Sequence, residues 1–274
     1  MLILGHRGTG VTMRNSTAQE DARRAAGTQG PENTLKAFEL ALRGGSDGLE
    51  FDVIRTADND LAVIHDNALN RHIDGAARRK TDRGFVSNHT MSQLRQLNVG
   101  DGESVPSLRD LFALAARYSQ PLLNIDLRGN DTYELAYTQV KQAGYPLDKI
   151  IFSSFDHDQL ARLRALDDRV KIGMLFRYQN LLLNTAKNQP RLTKQYLDKA
   201  LPAIRPTSIH PAVRNVTPAI QDYARQHNLD IYAWTHREKH PARNPASLNF
   251  ARRHKDNPHL HLITDYPAEI KAGL

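Results

Sequence analysis

Short apolar runs recur along the chain, separated by longer stretches in which apolar positions return every three or four residues. The runs fall at residues 2–5, 48–54, 122–127, 150–154, 171–176, 208–210, 230–234 and 261–264. Their brevity and near-continuous apolar character predict strands buried on both faces, as in a parallel sheet. The intervening stretches predict helices. Leu35, Phe38, Ala41 and Leu42 share one helical face, and Gly44-Gly45 is expected to end that helix in a left-handed cap. Start signals precede other helices. Ser107 with Asp110, and Asp131 with Glu134, have capping-box spacing. Asp156 precedes Leu160 and Leu163, while Thr217-Pro218 and Asn244-Pro245 each place a cap before a proline. Eight strand-then-helix units in 274 residues predict an α/β chain forming one domain over residues 1–274, a (β/α)₈ TIM barrel. Periodicity alone leaves a doubly wound open sheet as the alternative.

Three stretches exceed this minimal pattern: residues 9–30, 67–105 and 236–257, the last with His236, His240 and His254. Each follows a strand or its extension, so each is expected on the C-terminal face, where barrel sites are built. Each reads first as a variable surface loop. Residues 9–30 read equally as a lid or pocket wall, and whether they and 236–257 form a lid is not legible. No internal repeat or low-complexity tract is present.

Composition changes this picture little. The hydrophobic fraction of 40% and charged fraction of 24% are those of an ordinary globular protein. The absence of Cys excludes disulfides, thiolate zinc sites and thiol nucleophiles. No apolar run is long enough for a transmembrane segment, and residues 1–4 are too short for a signal-peptide core. The chain is therefore expected to be cytoplasmic if Met1 is its native start; a start that follows a removed signal is equally compatible. Net charge is +7 and the pI about 9.6. Basic residues cluster at Arg78-Arg79-Lys80, Arg83 and Arg252-Arg253. They read first as solvated loops and a helix face, and otherwise as attraction for an anionic substrate or weak contact with a membrane surface. No nucleic-acid partner is expected, because neither an aromatic-rich RNA motif nor a helix-turn-helix pattern is present. Oligomeric state is not legible.

The chemistry is concentrated early. Gly5-His6-Arg7-Gly8 ends the first strand, Glu50-Phe51-Asp52 lies in the second, and His65-Asp66 follows. Strand side chains alternate, so Glu50 and Asp52 point the same way. Two such carboxylates resist joint ionisation, and a bound cation is the simplest way to keep both charged. Asn124, Asp126 and Arg128 alternate likewise, and Asp126 completes a three-carboxylate set. Oxygen-only ligands suit a divalent metal of the hard kind, Ca²⁺ or Mg²⁺. His6 and His65 are the candidate proton carriers for cleaving a phosphodiester. Arg7 and Arg128 are expected to neutralise phosphate oxygens.

These residues resemble the glycerophosphodiester phosphodiesterase family. The resemblance rests on His6-Arg7-Gly8, Pro31-Glu32-Asn33-Thr34, Gly48 through Val53, Thr56-Ala57-Asp58 and His65-Asp66. It continues through Asn124 to Arg128, Ser153-Ser154-Phe155, Trp234-Thr235 and Thr264 to Pro267, in family order from end to end. It implies the barrel over the open sheet, with residues 67–105 as a small insertion after the second strand, and His6 and His65 as the catalytic pair. It also implies Glu50, Asp52 and Asp126 as metal ligands, with Trp234 lining the substrate pocket. Glu32 is expected to support the site, Asn33 to do so or simply to cap the helix, and Asp66 to orient His65 or end a hairpin. Asp265 reads as structural. The chain departs from the family at strand three, where Asp126 replaces a usual Glu and Arg128 a usual Lys. A shorter carboxylate must sit closer to a metal, and a planar fork replaces a point charge.

The resemblance implies a metal-dependent phosphodiesterase releasing sn-glycerol 3-phosphate and an alcohol from glycerophosphodiesters. It further implies attack by the substrate's own 2-hydroxyl. Lysophospholipase D-type cleavage of lysophospholipids is the near alternative. A non-catalytic phosphate-binding barrel and a nuclease are alternatives from other classes.

Overall fold

The first strand is flanked by two strands remote from each other in sequence, and that closure defines the architecture. In the computed structural model, which describes residues 1–10, 18–72, 84–176, 192–235 and 245–274, β1 (Ile3–His6) pairs in parallel with both β2 (Gly48–Arg55) and β9 (Leu260–Thr264). Between them the order runs through β4 (Leu122–Leu127), β5 (Ile150–Ser154), β6 (Lys171–Leu175), β7 (Ser208–His210) and β8 (Asp230–Trp234), all parallel. These eight strands form a closed barrel, so the open-sheet alternative falls. They match the apolar runs to within a residue or so at each end.

The ninth strand, β3 (Leu61–Val63), is antiparallel to the end of β2 and was not expected from the pattern. β2 runs past the barrel rim, turns at Thr56–Asn59 with Asn59 at φ 61°, and returns as β3. Ile64 N–H then donates to the Asp52 carbonyl at 3.0 Å, which brings His65 back to the barrel mouth.

Helices cover the barrel. α1 (Ala18–Ala25) lies within the stretch anticipated as a loop; its alanine-rich, charged sequence is a good helix former. α2 (Leu35–Arg43) buries Phe38, Ala41 and Leu42 as expected. Its left-handed end residue is Gly45, at φ 84°, while Gly44 is right-handed. The short α3 (Met91–Leu94) belongs to the insertion. α4 (Leu108–Ala115) starts with the Ser107–Asp110 capping box. α5 (Tyr133–Ala143) does not use Asp131 as its cap, which corrects the expectation. Asp131 sits at φ 52°, and Thr132 occupies the cap position, its hydroxyl donating to the Arg128 carbonyl at 2.6 Å. α6 (His157–Leu166) is capped by Asp156, and α7 (Lys194–Ile204) by Thr193. α8 (Pro218–Gln226) is capped by Thr217 ahead of the proline. α9 (Ala246–His254) begins after Pro245 rather than at it, and Asn244 lies outside the described residues. α10 (Pro267–Ala272) follows β9. The clusters at Arg78–Lys80 and Arg83, and His236 and His240, also lie outside the described residues.

Three apolar clusters hold the parts together. The largest packs helices such as α2 and α6 against the barrel's outer face, for example Phe38 on Phe51 at 5.8 Å between ring centres. A second plugs the lumen with Leu4, Ile151, Tyr232 and Ile263, walled by Trp234. The third joins Ile54 and Ile64 to Leu69, Val86, Leu94 and Val105 of the insertion. The insertion is thus seated on its own apolar base beside the barrel mouth.

Candidate active site

Strand register builds the site. His6 pairs with Glu50, and Glu50 with Asn124, so these three form one row across β1, β2 and β4. Asp52, Asp126 and Ser153 form the row above, across β2, β4 and β5. Both rows lie toward the C-terminal ends of the strands. Glu50, Asp52 and Asp126 each bring a carboxylate oxygen within 4.8 Å of the others'.

The His6-Arg7-Gly8 turn holds the first strand's contribution. Arg7 takes a left-handed backbone, φ 50°, and its N–H donates to the Glu50 carbonyl at 2.8 Å. Gly8 follows at φ 82°. A Cβ there would lie 2.6 Å from the Ala37 carbonyl carbon in α2, so the turn requires glycine. Pro31 to Thr34 meets this turn from the other side. Thr34 is the cap of α2, accepting from Ala37 N–H at 3.2 Å. The possible cap role for Asn33 is therefore corrected: its amide donates to Asp52 Oδ2 at 3.0 Å. Glu32 accepts from Arg7 Nη1 at 2.9 Å.

Both arginines are tied to the carboxylates. Arg128 Nε lies 2.9 Å from Asp52 Oδ1 and 2.7 Å from Asp126 Oδ2, so one guanidinium bridges two acids. Arg7 Nε lies 3.3 Å from Asp52 Oδ2. Burial works against the Asp52 charge, but Arg128, His65 and Arg7 hold its carboxyl well below the usual range. Asp126 is the opposite case. Burial, together with the nearby Asp52 and Glu50 charges, holds its carboxyl well above that range despite Arg128. Burial also raises Glu50. Three buried acids facing two arginines remain short of positive charge. Asp126 Oδ1 and both polar atoms of Asn124 are buried without a hydrogen-bond partner. Unpartnered buried oxygens, all hard donors, fit a divalent cation.

The histidines are held alike. His6 Nδ1 lies 2.6 Å from Asp265 Oδ1, and its Nε2 faces Glu50 Oε2 at 3.9 Å. His65 Nδ1 is bonded to Asp66 Oδ1. Each ring is fixed through Nδ1, which leaves Nε2 as the nitrogen free to exchange a proton. Their environments differ. Burial opposes protonation of His6, but Asp265 and Glu50 prevail and its pKa is raised. Burial, with Arg7 and Arg128 nearby, brings His65 down to about 4.

Trp234 ends β8 with its indole N–H donating to the His210 carbonyl at 3.1 Å, half-buried above the lumen plug. α1 lies near the same face: Arg24 pairs with Asp101 of the insertion at 2.9 Å, and Arg23 sits over the Tyr266 ring.

Two residues take roles at the site that the sequence pattern does not assign. Asp265 read as structural, yet it holds His6; barrel closure was the available signal, because the residue after the last strand must lie beside the end of the first. His72 was not singled out. It lies between the His65–Asp66 turn and Glu32.

The relatives of this closed-barrel chain make it a phosphoric diester hydrolase. The chain belongs to the glycerophosphoryl diester phosphodiesterase family, which it matches over residues 24–269. It is 28% identical over 217 residues to a glycerophosphodiester phosphodiesterase of Caldanaerobacter subterraneus subsp. tengcongensis, covering 75% of this chain and 80% of that protein. It is 32% identical over 161 residues to one of Bacillus altitudinis, covering 53% and 61%. Among solved structures, the fold is shared with an Oleispira antarctica phosphodiesterase at TM-score 0.73 and 20% identity, covering 100% of this chain and 96% of the other. It is likewise shared with a glycerophosphodiester phosphodiesterase of Agrobacterium tumefaciens at TM-score 0.67 and 22% identity, covering 99% of each.

Proposed function

We propose that this chain hydrolyses glycerophosphodiesters to sn-glycerol 3-phosphate and an alcohol, using Ca²⁺ or Mg²⁺ held by Glu50, Asp52 and Asp126. The observation that carries this reading is the pair of adjoining rows, in which His6 and Glu50 stand beside Asp52 and a buried, half-unpartnered Asp126. Support comes from the Oleispira structure, described as a complex with the product sn-glycerol-3-phosphate.

The cation supplies Lewis-acid neutralisation of the phosphate when bound. The chain's own residues do the rest. Arg7 and Arg128 hold the Asp52 carboxyl low and offset the charge of the acid cluster, and their guanidinium groups, partly open to the mouth, would neutralise the non-bridging oxygens. One imidazole takes the proton of the attacking oxygen at Nε2. The other donates its Nε2 proton to the leaving alcohol as the P–O bond breaks. The attacking oxygen is the substrate's 2-hydroxyl, already held near phosphorus, which removes most of the entropic cost of recruiting water. Water then opens the cyclic phosphate with the histidines exchanging roles.

The test is release of choline from glycerophosphocholine, 1-acyl-lysophosphatidylcholine and the 2-deoxy analogue of glycerophosphocholine, with and without chelator, and of glycerol 3-phosphate from the first. Turnover of the first substrate is expected, abolished by chelation and restored by Ca²⁺ or Mg²⁺. Full activity after exhaustive chelation overturns the metal assignment. Near-parental turnover of the 2-deoxy analogue leaves direct attack by water. A clear preference for the acylated substrate, read by release of its alcohol, makes the lysophospholipid reading the correct one.

A further inference from the structure

We propose that His72 is a positioning residue that holds the Asp66–His65 pair for proton transfer, an inference that rests on the role given to His65 above. Its ring is buried, with 7% of the residue exposed, and lies at the end of the turn Leu69–Arg71 in the insertion. Nε2 accepts the backbone N–H of Asp66 at 3.1 Å. An accepting Nε2 carries no proton, so the ring proton is on Nδ1. Nδ1 faces Glu32 Oε1 at 3.6 Å, a contact longer than a hydrogen bond but favourable to that tautomer.

The consequence is mechanical. Asp66 is gripped at two atoms: its backbone N–H by His72, and its Oδ1 by His65 Nδ1. Reorientation of the His65–Asp66 peptide plane would carry the imidazole off its present position. His72 prevents it by tying the peptide to a turn whose Leu69 is anchored, 1% exposed, in the apolar base of the insertion. Glu32, which fixes the ring's other side, also holds Arg7. The insertion thus contributes to the site: one of its side chains sets the geometry of a proton carrier built on the barrel.

The experiment is a steady-state comparison on glycerophosphocholine with saturating divalent cation. It uses His72→Leu, His72→Asn, His72→Gln, His65→Ala and the double variant His65→Ala/His72→Leu, each checked by thermal melting. Removing the acceptor with Leu, or with the shorter Asn, is expected to lower kcat about 10-fold, the low end for loss of an orienting partner, with KM within about 2-fold. Gln places a carbonyl oxygen near the Nε2 position and is expected to keep at least about half of wild-type kcat. The double variant is expected to be no slower than His65→Ala, because residues that act as a unit are non-additive. Wild-type kcat in both Leu and Asn variants overturns the proposal, and so does an undiminished His72→Leu effect in the His65→Ala background. If His65→Ala itself turns over at the wild-type rate, the role of His65 is wrong and this inference falls with it.

Discussion

Asp52 shows how the site's residues depend on one another. It is fully buried and engaged by Arg128, Arg7 and Asn33, so its carboxyl is held below the usual range, whereas burial holds that of Asp126 above it. Arg128 is the shared counter-charge. Replacing it with Ala strands two buried acids and is expected to lower kcat by about 100-fold or more, the usual cost of losing such a stabilising group. Lys keeps the charge but contacts one acid at a time, so Arg128→Lys is expected to stay within about 10-fold of wild type. Equal activity in all three forms would show that Arg128 serves neither acids nor substrate. For the histidines, His6→Ala and His65→Ala are each expected to cost about 100-fold or more in kcat, with weaker effects on binding of a non-hydrolysable analogue. Asp265→Asn should give a smaller loss through His6. Retention of full turnover by either Ala variant would reduce that histidine to a structural role.

At the level of elements, the barrel strands were legible because each is a short run buried on both faces. Neither loop length nor helix packing could blur that signal. β3 was not legible. Three residues carry no period, and the strand exists because β2 overshoots the rim and offers it a partner. The Asp131–Glu134 spacing misled for a related reason. It matches the Ser107–Asp110 box that does form, but Thr132 N–H is taken by Gln159 Oε1 at 3.0 Å and the Asp131 carboxylate by Arg162 at 2.7 Å, so tertiary partners override the local cap. The acid cluster could be read from alternation alone. Asp265 could be reached only through barrel closure, and His72 not at all, since its contacts arise from the seating of the insertion. The His6-Arg7-Gly8 turn is where an element and the site coincide. Gly8→Ala imposes a left-handed alanine and a clash with α2, and is expected to destabilise the protein by about 2 kcal/mol or more. Urea unfolding would measure this, and an unchanged midpoint would show that the turn relaxes freely.

On the scale of the whole molecule, the barrel has buried neutral histidines away from the acid cluster, and they couple its stability to pH. His157, in α6, accepts or donates at both ring nitrogens: Nδ1 meets Tyr196 Oη at 2.7 Å and Nε2 meets the Leu175 carbonyl at 3.0 Å. A carbonyl only accepts, so Nε2–H donates to it and Nδ1 accepts from the tyrosine. Burial brings His157 down to about 4 and, with His261 beside it, His210 down to about 3. Unfolded, each would titrate near 6.5. Between those values the unfolded chain binds more protons than the native one, so stability falls as pH falls. The contribution is complete above about pH 6.5 and is lost through the window down to about 4 for His157, at about 1.4 kcal/mol per pH unit where the difference is full. Glu50 and Asp126 act in the opposite sense, because their raised carboxyls hold protons that the unfolded chain releases. A bare pH–stability curve therefore mixes the two, and a difference measurement separates them. His157→Gln can accept from Tyr196 and donate to Leu175 but cannot titrate. Its unfolding free energy, measured in urea at pH 7, 6 and 5, is expected to fall less steeply than wild type, by about 1 kcal/mol per pH unit between pH 6 and 5. Parallel slopes in the two proteins would mean that His157 is protonated in the folded barrel, with Tyr196 turned to accept from it.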